Sequence, residues 1–457
     1  MSVVQRLGEG WLLDHLSFIN RCGYETHGPL VHPPRGAPDA CAPATVHCHG
    51  AAARTTTCTS RDDPAPGNAL ELEGKRGKTR YVFREEFFDV LKPHIVAATS
   101  ERLCQGGSKE TPMDTGDSSK RKRKCAFNQG EVDALEYHTK IRELIWEGTL
   151  HLVQEGLKSG FLHCATTKLS CSKNIVPGHM GCGLAELCEM AKQFPAINDS
   201  DYEAVRAIDD KTLLSEQDLH SCVIENNSSC AKMIVLMGQK YLVPPKSNFL
   251  LSDISCLQPL LNCKRKYDVI VMDPPWENKS VKRSNRYGYL SSWQIKQIPV
   301  SALAAPNCLV VTWVTNRQKH LRFVKDELYP HWSVKTLAEW HWVKITRYGE
   351  FVFPLDSSHK KPYEVLVLGR VQGSIEEALS RKSEEVLPIP DHKLIVSVPC
   401  SLHSHKPPLT EVLAEFVKPD AECLELFARN LQPGWTSWGN EVLKFQHIDY
   451  FTVLQDE

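Results

Sequence analysis

The sequence lacks a long apolar segment. No uninterrupted hydrophobic run approaches the roughly 20 residues that a membrane-spanning helix needs. Residues 11–19, near the start, are broken by polar side chains, which is unlike a secretory signal. That pattern instead predicts an amphipathic helix that docks on the protein or on a partner. We therefore expect no membrane association.

The sequence also lacks paired cysteines. None of its 17 cysteines forms a Cys-x-x-Cys pair, a spacing typical of zinc and redox sites. The cluster at residues 47–49, with Cys41 and Cys58 nearby, lacks the paired spacing of structural zinc ligands. We expect reduced intracellular thiols, most of them packing residues, and no metal site.

Neither sign of charge is in excess, since Lys and Arg total 54 and Asp and Glu total 55. Affinity for nucleic acid would therefore have to come from local basic patches. Residues 120–124 are five consecutive cations in a polar linker, a pattern typical of a nuclear import signal, with a merely solubilising run as the alternative. We expect a nuclear protein, with the cytosol and the mitochondrion as further compartments.

Composition divides the chain into three regions. Residues 1–126 are predicted to be a largely flexible region with a basic linker, because residues 21–75 are rich in Pro, Ala, Gly and small polar residues and residues 99–119 are polar. Residues 127–245 carry apolar side chains at helical spacing, which predicts a mostly helical accessory domain that could dock a partner protein. Residues 246–457 alternate apolar runs with helical segments, which predicts an α/β domain with a mostly parallel sheet.

Residues 246–457 contain a helix predicted at residues 318–328 and several predicted strands. These strands are residues 248–254, 267–272, 309–314, 339–345, 364–368 and 422–427.

The strand 267–272 ends abruptly in Asp273-Pro274-Pro275-Trp276. Proline cannot donate to a sheet ladder, so the strand must stop there, and ligands of α/β sheets bind beyond the carboxyl ends of strands. The Asp273 carboxylate and the Pro274 carbonyl could accept the two N–H bonds of an exocyclic amine such as that of adenine, while the prolines keep the corner rigid. Trp276 could stack on an extruded base, a contact worth roughly 1–3 kcal/mol. The alternative is a strand followed by a rigid turn with a half-buried tryptophan.

Two later segments extend this pattern. They are Ser-His-Lys-Pro at residues 404–407, and Glu-Leu-Phe-Ala-Arg at 425–429 followed by Gly439-Asn440. Together with the corner at 273–276 they resemble the MT-A family of adenine N(6)-methyltransferases, over roughly residues 247–450. The resemblance implies a permuted Rossmann-like domain that uses S-adenosyl-L-methionine. The sequence has no Gly-x-Gly-x-x-Gly loop, which fits a donor without a pyrophosphate.

The resemblance also implies which residues bind the methyl donor. By matched position these are the adenine contacts Asp253 and Ile254, the carboxylate partner Lys406, and the ribose contacts Arg429, Asn430 and Asn440. A cation suits a carboxylate, and amides and a guanidinium suit hydroxyls. Outside the family each has an ordinary structural alternative, such as a helix cap for Asp253 or a turn residue for Asn440.

The segment after the corner is basic and has no acid between residues 279 and 286. Cations there would meet the phosphates that flank a target base. The predicted substrate-binding residues are Lys279, Lys282, Arg283, Arg286 and Tyr287, and the last could stack on the flipped adenine or close over it. A second basic cluster, with a solvated surface as its alternative, contains Arg317, Lys319, His320 and Arg322.

The sequence thus predicts an adenine N(6)-methyltransferase that acts on nucleic acid. The resemblance favours RNA, in particular an adenosine with a 2′-O-methyl group in a small nuclear RNA, and DNA adenine is the alternative substrate. A catalytically silent RNA-binding subunit is the alternative from another class, and it would not bind the donor.

Overall fold

The computed structural model describes residues 2–27, 78–94, 128–164, 184, 188, 203–209, 216–253, 256–277, 289–357, 360–373 and 387–454. Within them the strands are β1 Val3–Leu7, β2 Gly10–Leu13, β3 Glu25–His27, β4 Lys78–Phe83, β5 Val205–Ala207, β6 Val223–Asn226, β7 Lys232–Leu236, β8 Gln239–Val243, β9 Ser247–Leu251, β10 Tyr267–Met272, β11 Ala304–Val314, β12 Val334–Lys344, β13 Tyr363–Val371, β14 Leu394–Ser397, β15 Cys423–Leu426, β16 Trp435–Gly439 and β17 Phe451–Leu454. The α-helices are α1 His15–Asn20, α2 Gln129–Lys158, α3 Glu216–Ser221, α4 Gln258–Asn262, α5 Ser292–Lys296, α6 Val300–Leu303, α7 Gln318–Arg322, α8 Tyr329–His331 and α9 Thr410–Leu413.

One large sheet organises the described part of the chain. Its 12 strands lie in the order β1-β2-β14-β12-β13-β11-β10-β15-β16-β9-β6-β5. The centre is parallel, from β11 through β10, β15 and β16 to β9. Strand β13 is antiparallel to both of its neighbours, β11 and β12. The predicted α/β class is confirmed, and all six strand segments predicted in the catalytic region are strands here.

Strand β10 lies in the middle of this sheet because it is apolar on both faces. Ile270 and Met272 are fully buried in one core cluster, whereas Val269 and Val271 are buried in a second cluster on the opposite face. Successive side chains of a strand alternate between faces, so a continuous apolar run fits a strand that is covered on both sides.

Within residues 1–126, the described segments are 2–27 and 78–94, and the first of them contributes two strands to the large sheet. Strand β2 pairs in parallel with β14, and its Trp11 side chain is only 2% exposed. The helix predicted at residues 11–19 is therefore wrong in its first half, and α1 begins at His15 after the Asp14 cap. A short apolar run has no periodicity that separates a buried strand from a helix.

The accessory region also differs from its prediction. Helix α2 is confirmed and spans 30 residues, and β5 to β8 follow it, so the described part of residues 127–245 contains strands as well as helices. Strand β6 pairs with β9, so the boundary predicted at residue 245 cuts through the large sheet. Between residues 165 and 202, only Leu184 and Cys188 are described. The basic run 120–124 and the cysteine cluster near residue 48 lie outside the described residues.

Gly10 lets the N-terminal hairpin join the sheet. A Cβ atom at this position would lie 1.9 Å from the Leu394 carbonyl oxygen on the neighbouring strand. Gly10→Ala is therefore expected to lower the free energy of unfolding by about 1–3 kcal/mol, as overpacking does. Thermal or urea unfolding measures this change. Gly8→Ala is the matched control, because a Cβ there meets nothing within 4 Å, and equal unfolding curves for the two variants would contradict the packing argument.

None of the described helices is both long enough and apolar enough to cross a membrane.

Candidate active site

The carboxyl ends of the central parallel strands form one edge of the sheet. From β10 the chain continues to β11 on one side, whereas from β15 it continues to β16 on the other side. A crevice opens where neighbouring parallel strands diverge in this way, and α/β proteins bind their ligands there. Asp273 follows β10 and Arg429 follows β15, so these two side chains meet at the mouth of the crevice.

Asp273 is held by two cations. Its Oδ2 atom accepts a hydrogen bond from Arg429 Nη1 at 3.1 Å and lies 3.8 Å from Lys406 Nζ. The Asp273 side chain is 16% exposed, so these contacts are shielded from bulk solvent. The structure thus brings together three residues that the sequence predicted at separate points of the chain.

Lys406 reaches the edge from the loop after β14. Its ammonium group pairs with the Glu364 carboxylate and lies 4.9 Å from the ring centre of Trp313. Burial would lower the pKa of Lys406, but the carboxylates of Asp273 and Glu364 raise it above its usual range. Lys406 is therefore a permanently charged group at the edge.

The ion pairs extend in both directions from Asp273. In order, the connected residues are Lys344, Glu364, Lys406, Asp273, Arg429, Glu441 and Lys444. Burial would raise the pKa of Glu364, yet Lys406 and Lys344 hold it at about 2. Burial would likewise raise the pKa of Glu441, which Lys444 and Arg429 lower. Several ionisable groups with shifted pKa values close to one another are typical of functional sites.

The other residues that were predicted to contact the methyl donor follow neighbouring strands. Asp253 comes after β9 and is 7% exposed, and Asn440 comes directly after β16. Since β9, β16 and β15 are parallel, both residues lie at the same edge as Arg429. Asn430 instead lines a small cavity beside the N-terminal segment, together with His15. Ile254 lies outside the described residues.

The ends of β15 and β16 are held close together. Phe427, the first residue after β15, has φ 61°, a left-handed conformation that costs a non-glycine residue about 1–2 kcal/mol. A Cβ atom on Gly439 would lie 2.9 Å from the Ala428 carbonyl oxygen. The tight turn and the close approach together aim Arg429 back toward Asp273.

The structure corrects the stacking role predicted for Trp276. Its side chain is 5% exposed, and its Nε1 donates to the Trp313 carbonyl at 3.0 Å. The ring centre lies 4.9 Å from that of His320 and 6.4 Å from that of Phe323. Trp276 therefore anchors the corner in the core and has no open face for an extruded base in this structure.

His320 does not belong to an exposed basic cluster. It is 5% exposed, and burial lowers its pKa, so the ring is neutral. The backbone of Glu277 hydrogen-bonds the ring, whereas the buried Nε2 atom has no hydrogen-bond partner in the described structure. Arg317 and Lys319 are exposed as predicted.

The described residues on either side of the predicted substrate-binding segment meet at the corner. The Leu290 N–H donates to the Pro275 carbonyl at 3.1 Å. The five predicted residues Lys279, Lys282, Arg283, Arg286 and Tyr287 lie outside the described residues.

Glu425 is a group at this site that sequence reasoning missed. It pairs in register with Val271 of β10, and its Oε2 accepts from Gln432 Nε2 at 3.3 Å. Burial and the nearby Asp273 carboxylate raise the pKa of Glu425 to about 7. The signal in the sequence that could have identified Glu425 was its position just before the predicted Arg429. Its burial on a central strand, however, is a property of the folded sheet.

The raised pKa of Glu425 predicts a pH dependence of stability. In the folded state the Glu425 carboxyl favours its protonated form, whereas in the unfolded chain the same carboxyl ionises above about pH 4.5. The stabilisation that is present at low pH is therefore lost as pH rises through about 7. The shift from 4.5 to about 7 corresponds to about 3 kcal/mol. Urea unfolding at pH 5 and pH 8 should show that Glu425→Gln removes this loss. Glu422→Gln, at an exposed acid just before β15, is the control, and an equal effect of both variants would contradict the assignment.

This part of the chain is similar in sequence to known proteins. The MT-A70 family matches residues 267–441, from β10 to Glu441. The N(6)-adenine-specific methyltransferase METTL4 of Homo sapiens is 57% identical over 476 residues, covering 100% of this chain and 99% of that protein. The N6-methyladenosine RNA methyltransferase MTA1 of Pyricularia oryzae is 33% identical over 249 residues, 52% of this chain and 63% of that protein. The DNA N6-methyl methyltransferase of Caenorhabditis elegans is 34% identical over 220 residues, 47% of this chain and 56% of that protein.

Proposed function

The chain belongs to the MT-A70 family and is an adenine N6-methyltransferase, and we propose that it methylates RNA with S-adenosyl-L-methionine as the donor. Within RNA, the proposed target is an adenosine that carries a 2′-O-methyl group in a small nuclear RNA. The observation that carries methyl transfer to an amine is the Asp273 carboxylate held by Arg429 and Lys406 at the carboxyl edge of the sheet. The choice of RNA rests on the family resemblance of the sequence. The predicted enzyme class is confirmed, so the silent-subunit alternative is withdrawn.

Asp273 and Pro274 act on the amine of the target base. The lone pair of that amine is delocalised into the ring, which makes the nitrogen a poor nucleophile. Both cations approach Oδ2 of Asp273, and Oδ1 accepts one amine hydrogen while the Pro274 carbonyl accepts the other. Fixed acceptors favour a pyramidal nitrogen and stabilise the positive charge that develops on it. The hydrogen bond from Leu290 to Pro275 keeps the corner in place.

The charges at the edge fit the proposed donor. S-adenosylmethionine, when bound, supplies a methyl group on a positively charged sulfur. An ammonium group has three donors, so Lys406 can hold Glu364 and Asp273 and still donate to the carboxylate of the donor. Arg429 and Asn440 lie at the ends of β15 and β16, where they can bind hydroxyl groups. The chain order supports a permuted Rossmann-like domain, because β10 precedes β15 in sequence but lies beside it in the sheet.

The fungal relative is named an RNA methyltransferase and the nematode relative a DNA methyltransferase. DNA is therefore the second candidate substrate. The basic loop that follows the corner would contact phosphates in either nucleic acid, since phosphate contacts carry no sequence information.

Three matched oligonucleotides test the substrate. They share one sequence and present adenosine, 2′-O-methyladenosine or deoxyadenosine at the target position. With labelled donor, we expect the highest kcat/KM on the 2′-O-methyladenosine oligonucleotide. A higher kcat/KM on the DNA oligonucleotide would overturn the RNA proposal. Mass spectrometry of nucleosides from small nuclear RNA of cells that lack the protein then identifies the modified position.

The basic run supports a nuclear location. Deleting residues 120–124 is expected to move the protein toward the cytosol, because import receptors bind such clusters of cations. Fluorescence microscopy measures the nuclear fraction. A variant with the same five positions changed to arginine keeps the charge and should stay nuclear, whereas unchanged nuclear accumulation of the deletion would contradict the import signal.

A further inference from the structure

Trp293 is the most exposed large apolar side chain in the described part of the chain, at 68%. Single exposed hydrophobic residues are common on protein surfaces, so exposure alone does not indicate a function. The position of this indole does, because two independent sets of contacts connect its helix to the catalytic corner.

The first connection runs along the chain. Leu290 donates to the Pro275 carbonyl at 3.1 Å, and α5 begins directly afterwards with Ser291 as its cap. Trp293 is the third residue after Leu290, and three residues span at most about 10 Å. Trp293 therefore lies within the reach of one or two nucleotides from the corner that holds the target amine.

The second connection runs through packed side chains. Lys296 of α5 lies 5.6 Å from the ring centre of Phe323, which in turn lies 6.4 Å from that of Trp276. Lys296 also pairs with Glu327 at 2.8 Å, and its carbonyl accepts from Trp332 Nε1 at 3.2 Å. Helix α5 is thus fixed against the core on one side and presents the indole to solvent from a rigid support.

The surroundings of α5 suit a nucleic acid. Tyr289, between the corner and α5, is 41% exposed. Arg317 and Lys319 are exposed at the start of α7, at the edge where β11 ends, and the π-helical segment Phe323–Leu328 that follows α7 is the one that α5 contacts. Exposed aromatic faces together with exposed cations are the combination that binds single-stranded nucleic acid.

We propose that Trp293 stacks on a nucleobase that flanks the target adenine. The contact is tolerant of sequence, since every base has a π face. This contact positions the nucleic-acid strand while the neighbouring nucleotide enters the corner at Asp273. The inference rests on the proposed function, because it assumes a polynucleotide substrate.

A double-mutant cycle between protein and oligonucleotide tests the contact. Single abasic sites are placed one or two nucleotides from the target on either side, and Kd is measured for the wild-type protein and for Trp293→Ala. For the wild type, one abasic position should weaken binding about tenfold, the size of one lost base–aromatic stack. Trp293→Ala should bind the intact oligonucleotide about tenfold more weakly and lose nothing further at that abasic position.

Two controls accompany the cycle. Trp293→Phe keeps an aromatic face and should recover most of the affinity. Val235→Ala removes a side chain of similar exposure, 55%, from the β7–β8 hairpin and should leave Kd unchanged. If the losses in affinity caused by Trp293→Ala and by every abasic site simply add, the proposal is overturned. The indole would then be a contact for a protein partner. If the wild type prefers DNA, the RNA proposal fails, but the same scan on DNA still tests Trp293.

Discussion

Asp273→Ala is expected to reduce the rate of methyl transfer by about 100- to 1000-fold, the range observed when one pre-positioned group that stabilises a transition state is removed. The variant loses the acceptor that orients the amine and the negative charge that stabilises the nitrogen during transfer. Lys406 and Arg429 remain in place, each with its other carboxylate partner, Glu364 and Glu441. Donor affinity should therefore stay within about tenfold of the wild type.

Single-turnover kinetics with labelled donor, together with calorimetry of donor binding, separates these two quantities. The matched control is Asp268→Ala, because Asp268 lies on the same strand, at its other end, where it pairs with Lys418. This variant should keep most of the activity. Equal activity of Asp273→Ala and the wild type would remove the proposed mechanism.

Lys406→Met is expected to weaken donor binding by about 10- to 100-fold, since hydrogen bonds to charged groups contribute about 1.5–3 kcal/mol. The loss has two sources in the structure. The donor carboxylate loses its cation, and Glu364 and Asp273 lose the ammonium between them, so their mutual repulsion increases at the same edge.

Lys418→Met is the control for this second variant. It removes an ammonium group that also pairs with an acid on β10, but at the opposite end of the strand from Asp273. Its donor affinity should match that of the wild type. Lys406→Arg should retain part of the affinity, because the charge is preserved while its geometry changes. A donor affinity that is unchanged in Lys406→Met would show that another group binds the carboxylate.

Sequence reasoning succeeded where local chemistry is sufficient. The apolar run of β10 and the two prolines after it specify a buried strand and its end, whatever the neighbours are. The rule that ligands bind beyond parallel strands then placed Asp273 at a site. The family resemblance added Lys406 and Arg429, and the folded chain brings both to Asp273.

Sequence reasoning failed where the answer depends on distant residues. Trp276 was expected to offer a face to a base, but His320 and Phe323, more than 40 residues later, enclose it. Glu364 was not predicted at all, because its partner Lys406 is 42 residues away and acids on strands are usually exposed. The domain boundary failed for the same reason, since β6 finds its partner β9 across it.

The order of residues along the chain is enough to specify the reaction class, because the acceptor corner and the motifs after it are short, local and chemically explicit. Folding adds the charges: seven ionic groups from distant segments meet at one edge, where the parallel strands end and the antiparallel β13 begins. Burial, the side-chain partners and the state of protonation depend on that meeting. They follow from three-dimensional packing, which a one-dimensional pattern does not contain.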